Sequence, residues 1–371
     1  MPESLSPELE NLRDIVDKFA AGELRSLAED DSLDPADRRA RVIAASKKIG
    51  LFPLTQPKAF GGEEANLLTL TVVRDTLASH NLSHMPVFGP GPGVLAGVDE
   101  PIRSEYLEPM LTGKKRGAFG FTEPDDALRH TWGRIDGDTV VINGQKSYVT
   151  GGTEADFINA LVHIEDQGPA MIVIDTDAKG VSIKNTFGSL DGSHHSYFEF
   201  SDVTLPASRI IGKPGEGLPR ALRQIGDTRL AFAAEAVGLA RWVIDFVTTH
   251  LEAPHRSGEP LGAKEGVRFR YADMRIKAFA ARSMVYRTAR LGDAGENIVN
   301  EGISCKVFAT EAVGEIVDMG IQLVGGKALT VGHPLEMLYR RVRAMRLAEG
   351  ASDILRINLA RGRLELHKGR I

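Results

Sequence analysis

The feature that most constrains the fold of this 371-residue chain is a change of residue periodicity that occurs twice. Residues 1–115 and 216–371 carry apolar side chains at three- and four-residue spacing, which is typical of helices. Residues 116–215 hold short β-branched and aromatic runs bounded by Gly, Asp and Pro, which indicates antiparallel strands. We therefore predict an α+β protein with a helical N-terminal domain, a central antiparallel β-sandwich and a C-terminal four-helix bundle, divided at these positions.

The positions of glycines lead to three local predictions within this order of domains. Gly50 follows a helical run and predicts its C-terminal end. The pair Asn143-Gly144 in INGQKSYV predicts a hairpin turn. The glycine-rich FGPGPGVLAG predicts a turn between helices rather than a dinucleotide loop, because prolines interrupt it and no strand precedes it.

Composition excludes several classes of function. The net charge of −5 argues against nucleic-acid binding, and no uncharged apolar run reaches the length of a membrane span. The acidic, polar N-terminus has no signal-peptide core, so we expect a cytoplasmic protein. Cys305 is the only cysteine, which excludes an internal disulfide and a thiolate metal cage, and the histidines lack ligand spacing. We predict no metal site.

Two local features could carry chemistry. GFTEP (120–124) and KSYVTGG (146–152) combine hydroxyl groups with aromatic residues. A binding site for a planar redox-active ring requires both, although the edge of an ordinary sheet can have the same composition. Glu349 precedes Gly350 in the apolar sequence Met-Arg-Leu-Ala-Glu. Burial raises a carboxylate pKa and suits it to act as a base, although an acid at a helix end would look the same.

In order along the chain, these segments resemble the acyl-CoA dehydrogenase family over nearly its whole length. The matching motifs are IGLFPLTQPKAFGG, GFTEP, INGQKSYVTGG, FSDVTLPASRIIGKPGEG, GDTRLAFAAEAVGLA, IQLVGGKAL and EGAS, the last standing where the family commonly has Glu-Gly-Thr. The order and spacing of many such motifs make the resemblance specific. It implies the same three-domain fold.

The resemblance also implies a reaction. The chain would use FAD to dehydrogenate an acyl thioester between its α and β carbons, with the acyl group carried by CoA or by an acyl carrier protein. Electron-transfer flavoprotein would accept the electrons. A homo- or hetero-oligomer is expected, because in the family FAD lies between the β domain and the bundle and a neighbouring subunit completes its site. Glu349 would be the base that takes the α-proton, since Thr228 occupies the alternative position of the base and has no carboxylate.

The resemblance assigns further residues to the site. Gly350 would donate its N–H to the thioester oxygen, and Arg229 would lie near the substrate channel. The cofactor-binding residues are expected to be Phe119, Phe121, Thr122, Tyr148 and Thr150 around the flavin, Gln322, Gly325 and Gly326 at a neighbour's adenine-diphosphate end, and Ser352.

Four positions depart from the family pattern. Leu128 replaces a small serine of the flavin loop, Pro254 replaces an arginine that reaches the partner's pyrophosphate, Arg341 reverses an acidic charge, and Ala351 replaces the threonine after Glu-Gly. These changes leave two alternatives: a lyase or isomerase that acts on an activated acyl group without flavin, or one subunit of a hetero-oligomer.

Overall fold

The computed structural model describes residues 4–367 and forms two compact units. The first comprises Met1–Leu54, Glu64–Phe88 and Gly226–Ile371, and the second comprises Thr55–Glu63 and Gly89–Ile225. Helices flank a central sheet along the chain, which confirms the predicted α+β class. The boundaries between the three predicted domains stay a prediction.

The secondary structure follows the predicted order. The α-helices are α1 (Pro7–Phe19), α2 (Arg25–Glu29), α3 (Pro35–Lys48), α4 (Leu67–Ala78), α5 (Glu108–Thr112), α6 (Gly217–Glu252), α7 (Glu265–Asp293), α8 (Val299–Val324), α9 (Pro334–Met345) and α10 (Ser352–Leu364). The strands are β1 (Gly117–Gly120), β2 (Trp132–Asp136), β3 (Thr139–Thr150), β4 (Phe157–Ile164), β5 (Gly168–Asp175), β6 (Val181–Gly188), β7 (His194–Pro206) and β8 (Ile210–Ile211). Short π-helical turns, Ala20–Leu24 and Arg103–Leu107, precede α2 and α5.

Capping residues set the ends of the first helices. The Ser6 side chain accepts a hydrogen bond from the N–H of Leu9 at the start of α1, and Asp34 caps α3 in the same way. Gly50, with φ of +77°, follows the end of α3, so the helix end predicted at this glycine is confirmed.

A buried ionic network joins three helices inside the first unit. Asp75 on α4 is fully buried and accepts hydrogen bonds from Arg241 on α6 and from Arg282 and Tyr286 on α7. Gly238 on α6 packs against the same turn of α4, where an added Cβ would lie 2.3 Å from the carbonyl oxygen of Asp75. Burial and the charge of Asp75 both raise the pKa of Tyr286, so this phenol stays a hydrogen-bond donor. Around this network, α6, α7, α8 and α9 contribute an aliphatic core.

The second unit is built on one hydrogen-bonded sheet of strands in the order β6-β7-β3-β2-β4-β5-β8, with β1 paired to β4. Most neighbouring strands run antiparallel, as predicted, but β4 pairs in parallel with both β1 and β2. Apolar side chains of β3, β4, β5 and β7 fill its core.

The hairpin predicted at Asn143-Gly144 is wrong. Both residues lie inside the continuous strand β3, and the turn from β2 to β3 falls at Gly137-Asp138. The pairing of β3 with β7 shifts register between Ile142 and Gly144, which is typical of a β-bulge. Asn143 bonds Asp202 on β7 through both its amide nitrogen and its oxygen, so its side chain fastens two strands instead of starting a turn.

The glycine- and proline-rich segment after α4 is irregular apart from the short 3-10 turn Gly93–Leu95, in agreement with its prediction as a turn. Among residues 4–367, no helix is long and apolar enough to cross a membrane. Over the same residues, no group of three or more His, Cys, Asp and Glu side chains could hold a metal ion.

Candidate functional site

Glu349 lies in the short turn between α9 and α10. Its φ of +55° is in the left-handed region, which a residue with a Cβ rarely adopts, and Gly350 follows with φ of +104°. A non-glycine residue held there costs about 1 kcal/mol or more, so neighbouring groups must fix the turn.

Two cations from other helices fix this turn through its carbonyl oxygens. Arg229 on α6 donates from Nε to the carbonyl oxygen of Glu349 at 3.1 Å. Lys306 on α8 donates from Nζ to the carbonyl oxygens of Gly350 at 2.7 Å and Arg346 at 3.1 Å. The backbone that carries the carboxylate is therefore anchored on both sides.

Burial raises the pKa of Glu349, and the charges of Arg229 and Lys306 oppose this rise. The raised pKa agrees with the prediction made from the apolar sequence around Glu349. The source of the burial differs in part, because Leu347, one of those apolar neighbours, is 59% exposed. A carboxylate in this environment can take up a proton at a pH where an exposed glutamate stays ionised.

The turn also presents a backbone donor beside the carboxylate. The N–H of Gly350 has no acceptor within the described part of the chain. An added Cβ on Gly350 would lie 3.1 Å from Leu355 and 3.5 Å from Arg229, so the turn is close-packed on that side. Arg229, Glu349 and Gly350 thus lie together, and their role as a substrate site stays a prediction.

Lys306 is the residue of this cluster that the sequence analysis missed. Its side chain is fully buried, and burial and the nearby charge of Arg229 lower its pKa to about 8, while Glu349 and Glu311 act in the opposite direction. A signal was present in the sequence. Lys306 shares a face of α8 with Ala309, Thr310 and Val313, and the helix period places a lone lysine on that buried face.

The residues predicted to line a flavin lie together at the ends of β1 and β3 in the second unit. Phe119 and Phe121 stack with ring centres 5.9 Å apart and are half-buried. Tyr148 is 62% exposed, has φ of +52°, and meets the ring of Phe187 edge-on. Thr150 exchanges a hydrogen bond of 3.1 Å with His195.

An ion pair between Lys146 and Glu123 stabilises the loop that contains Thr122. The sequence did not predict this pair. Lys146 on β3 is almost fully buried and donates to the carbonyl oxygen of Phe121 and to Glu123. Burial works to raise the pKa of Glu123, but hydrogen bonds from Lys146, His130 and the N–H of Thr131 lower it to about 2. Thr122 itself is exposed, and its carbonyl oxygen accepts from the N–H of Ser147.

The residues predicted to meet a neighbour's FAD lie in the first unit at the C-terminal end of α8. Gln322 is exposed, Gly325 has φ of +81°, and an added Cβ on Gly325 or Gly326 would meet no atom within 4 Å. Ser352 lies elsewhere: it is buried, and its hydroxyl donates to the Arg346 carbonyl oxygen that also accepts from Lys306. Its predicted role in cofactor binding stays a prediction.

The departures from the family pattern have different surroundings. Arg341 forms an ion pair with Glu235 and donates a hydrogen bond to Ser83. The positive charge that Arg341 introduces is therefore compensated by a carboxylate of the first unit. Leu128 is fully exposed, and Pro254 lies in an exposed loop.

The residues of the second unit fit a flavin ring. The exposed ring of Tyr148 offers an apolar face, and the exposed Thr122 and Thr150 offer polar edges at the same strand ends. The open backbone at Gly325-Gly326 in the first unit suits close approach of a phosphate group.

Comparisons with known proteins cover the chain almost from end to end. Three family models match: acyl-CoA dehydrogenase N-terminal domain over residues 6–114, middle domain over 118–203 and C-terminal domain over 215–364. Acryloyl-CoA reductase (NADH) of Anaerotignum propionicum is 28% identical over 378 residues, covering 96% of this chain and 95% of the relative. The caffeyl-CoA reductase-Etf complex subunit CarC of Acetobacterium woodii is 27% identical over 361 residues, covering 92% and 94%.

The solved structures agree with this fold. The crystal structure of an acyl-CoA dehydrogenase from Geobacillus kaustophilus superposes with a TM-score of 0.82 at 23% identity, covering 97% of this chain and 98% of that one.

Proposed function

The chain belongs to the acyl-CoA dehydrogenase family, and on this premise we propose that it is a FAD-dependent oxidoreductase that acts on the α,β CH–CH bond of an acyl thioester. Glu349 is the base. The observation that supports this assignment is the geometry of one turn: a half-buried carboxylate on a strained backbone that Arg229 and Lys306 hold, followed by the open N–H of Gly350.

Glu349 and Gly350 act on different atoms of the substrate. Ionised Glu349 accepts the α-proton, whose acidity increases when the thioester carbonyl oxygen receives hydrogen bonds. The N–H of Gly350 donates one such bond and stabilises the negative charge that develops on this oxygen. When bound, FAD supplies the acceptor for the hydride that leaves the β-carbon. Tyr148, Thr122 and Thr150 would hold its ring.

The partners follow from the same assignment. The acyl group is carried by CoA or by a carrier protein, and electron-transfer flavoprotein exchanges electrons with the enzyme; the name of the Acetobacterium woodii relative, a subunit of a reductase-Etf complex, supports this partner. We expect a homo- or hetero-oligomer. Three exposed apolar side chains on one face of α7 support it: Phe269, Ile276 and Phe279. The cytoplasmic location stays a prediction.

The direction of the reaction has a second candidate. The relatives from Anaerotignum propionicum and Acetobacterium woodii are both named as reductases of CoA thioesters. In that direction the same groups act in reverse: protonated Glu349 returns a proton to the α-carbon, for which a raised pKa is equally suitable.

The test uses the purified chain loaded with FAD. A panel of saturated acyl-CoA thioesters is added without oxygen and the flavin absorbance is followed. In a separate experiment the flavin is reduced with dithionite, and the reduced enzyme is mixed with the matching enoyl-CoA thioesters. We expect bleaching in the first experiment or recovery of colour in the second, with Glu349→Gln slower by about 10²–10⁴-fold. Asp353→Asn, which removes an exposed carboxylate close in sequence, is the matched control.

Two results would contradict the proposal. A protein that cannot be loaded with FAD yet turns over a thioester would support the lyase or isomerase alternative. A loaded Glu349→Gln variant that reacts at the rate of the parent chain would remove Glu349 from the mechanism.

A further inference from the structure

Lys306 is buried in the N-terminal third of α8 without a close counter-ion. Its side chain has no solvent exposure, and no carboxylate in residues 4–367 lies within 4.0 Å of Nζ. Burying an ammonium group is unfavourable unless its charge or its hydrogen bonds are used, and a leucine or methionine could fill the same space. The position therefore calls for a role that an apolar side chain could not fulfil.

Lys306 donates two hydrogen bonds, and both go to the turn that carries Glu349. The acceptors are the carbonyl oxygens of Arg346 and Gly350, one on each side of the glutamate. Because these acceptors are neutral, they leave the positive charge of Lys306 free to act on the carboxylates that interact with it. Glu349 is such a carboxylate, since its charge and that of Lys306 attract each other.

We propose that Lys306 is a positioning residue for the base, which fixes the turn of Glu349 through its hydrogen bonds and favours the ionised carboxylate through its charge. This inference rests on the proposed role of Glu349. Lys306 has no contact with substrate in the proposal, and it acts only through Glu349.

The charged groups around the pair are few and can be separated by mutation. Glu349 interacts with Arg229 on α6 and Lys306 on α8, while Lys306 interacts with Arg229, Glu349 and Glu311. Removing the charge of Lys306 leaves Arg229 as the remaining cation that opposes the effect of burial on Glu349. The pKa of Glu349 should then rise further, because burial disfavours the charged form.

The experiment compares Lys306→Gln, which keeps a hydrogen-bond donor but loses the charge, with Lys306→Met, which loses both. Infrared spectra are recorded across a pH series for the parent chain and each variant, and again after Glu349→Gln is added to each. The difference between the two spectra of a pair reports the ionisation of the Glu349 carboxyl group. We expect the pKa of Glu349 to rise by about one unit in both variants. A side chain that only anchors the turn would lower stability without moving this titration. Lys277→Met, which removes an exposed lysine of α7, is the matched control and should leave it unchanged.

A second readout separates this proposal from the assignment of the base. Exchange of the α-proton of a bound acyl-CoA thioester with D₂O is measured across the same pH series. If the infrared titration moves but exchange survives Glu349→Gln, Lys306 tunes Glu349 and another group is the base. If Glu349→Gln stops exchange but neither Lys306 variant moves the titration, the inference about Lys306 is wrong. Thermal unfolding monitored by circular dichroism shows which variants are folded, and Lys306→Gln alone suffices for the test if Lys306→Met does not fold.

Discussion

Arg229 donates a hydrogen bond from Nε to the backbone carbonyl oxygen of Glu349, 120 positions later in the chain, and not to its carboxylate. The cation therefore fixes the backbone of the base and leaves the carboxylate oxygens available to a substrate. Its charge still attracts the carboxylate and opposes the rise in pKa that burial causes.

These two effects of Arg229 can be separated. In Arg229→Lys the charge remains but the Nε donor is lost, so exchange of the α-proton should slow by about tenfold with little change in its pH dependence. In Arg229→Leu both are lost, and the pH at half-maximal rate should also rise. Exchange of an acyl-CoA thioester with D₂O measures both quantities. Equal pH profiles for the two variants would contradict the electrostatic part of this prediction.

The pH dependence of the parent chain has a defined direction. A base must be ionised to accept a proton, and burial of Glu349 shifts its ionisation to higher pH than that of an exposed glutamate. The rate of α-proton exchange should therefore rise with pH through a midpoint above the ordinary glutamate range. Exchange that is already maximal below that range would show that another group accepts the proton.

The buried network around Asp75 should dominate the stability of the first unit. Asp75→Asn removes the carboxylate that pairs with both Arg241 and Arg282, and breaking a buried ion pair costs about 3–5 kcal/mol. Urea unfolding followed by circular dichroism measures the loss. Asp14→Asn removes an exposed ion pair with Arg13 and should cost less than about 1 kcal/mol. Equal effects of the two substitutions would contradict a special role for the network.

The sequence predicts the base and assigns Arg229 to the same site, but it does not predict the contacts that fix the turn of the base. The family motif identifies Glu349, because the residues that mark it are adjacent in the chain. The contacts that fix its turn come from Arg229 and Lys306, which are 120 and 43 positions away, and a single sequence contains no record of such pairings.

The wrong hairpin has a similar cause. Asn143-Gly144 is a strong local signal for a two-residue turn, but β7 pairs with β3 on both sides of it, and Asp202 bonds the Asn143 side chain. Long-range strand pairing therefore overrides the local preference. The sequence does not predict the burial of Lys146, because lysine is usually exposed and its contacts with Glu123 and the carbonyl oxygen of Phe121 form only in the folded chain.

The Glu123–Lys146 pair should contribute to the acid stability of the second unit. The pKa of Glu123 is lowered to about 2 in the folded chain, so its contribution is complete above the pKa of an unfolded glutamate and is lost as the pH falls toward 2. Glu123→Gln should therefore destabilise the protein near neutral pH, and its difference from the parent should shrink progressively below about pH 4.5. Urea midpoints across this pH range measure the difference, with Glu154→Gln, which removes an exposed partner of Arg116, as the control. A difference that does not vary with pH would contradict the linkage.

The positive charge of Arg341, which stands where the family has an acidic residue, should be detectable in the titration of its neighbour His84. Burial and the charge of Arg341 lower the pKa of His84 to about 4, while Glu235 acts in the opposite direction. The unfolded chain therefore binds more protons than the folded one between about pH 6.5 and 4, and this histidine lowers stability as the pH falls through that range. In Arg341→Gln the pKa of His84 should rise, because the repelling charge is removed and Glu235 remains. NMR of the imidazole protons measures this shift. Arg340→Gln, which removes the adjacent exposed cation paired with Glu336, should leave it unchanged. If both substitutions raise the pKa equally, or neither does, the coupling of Arg341 to His84 is wrong.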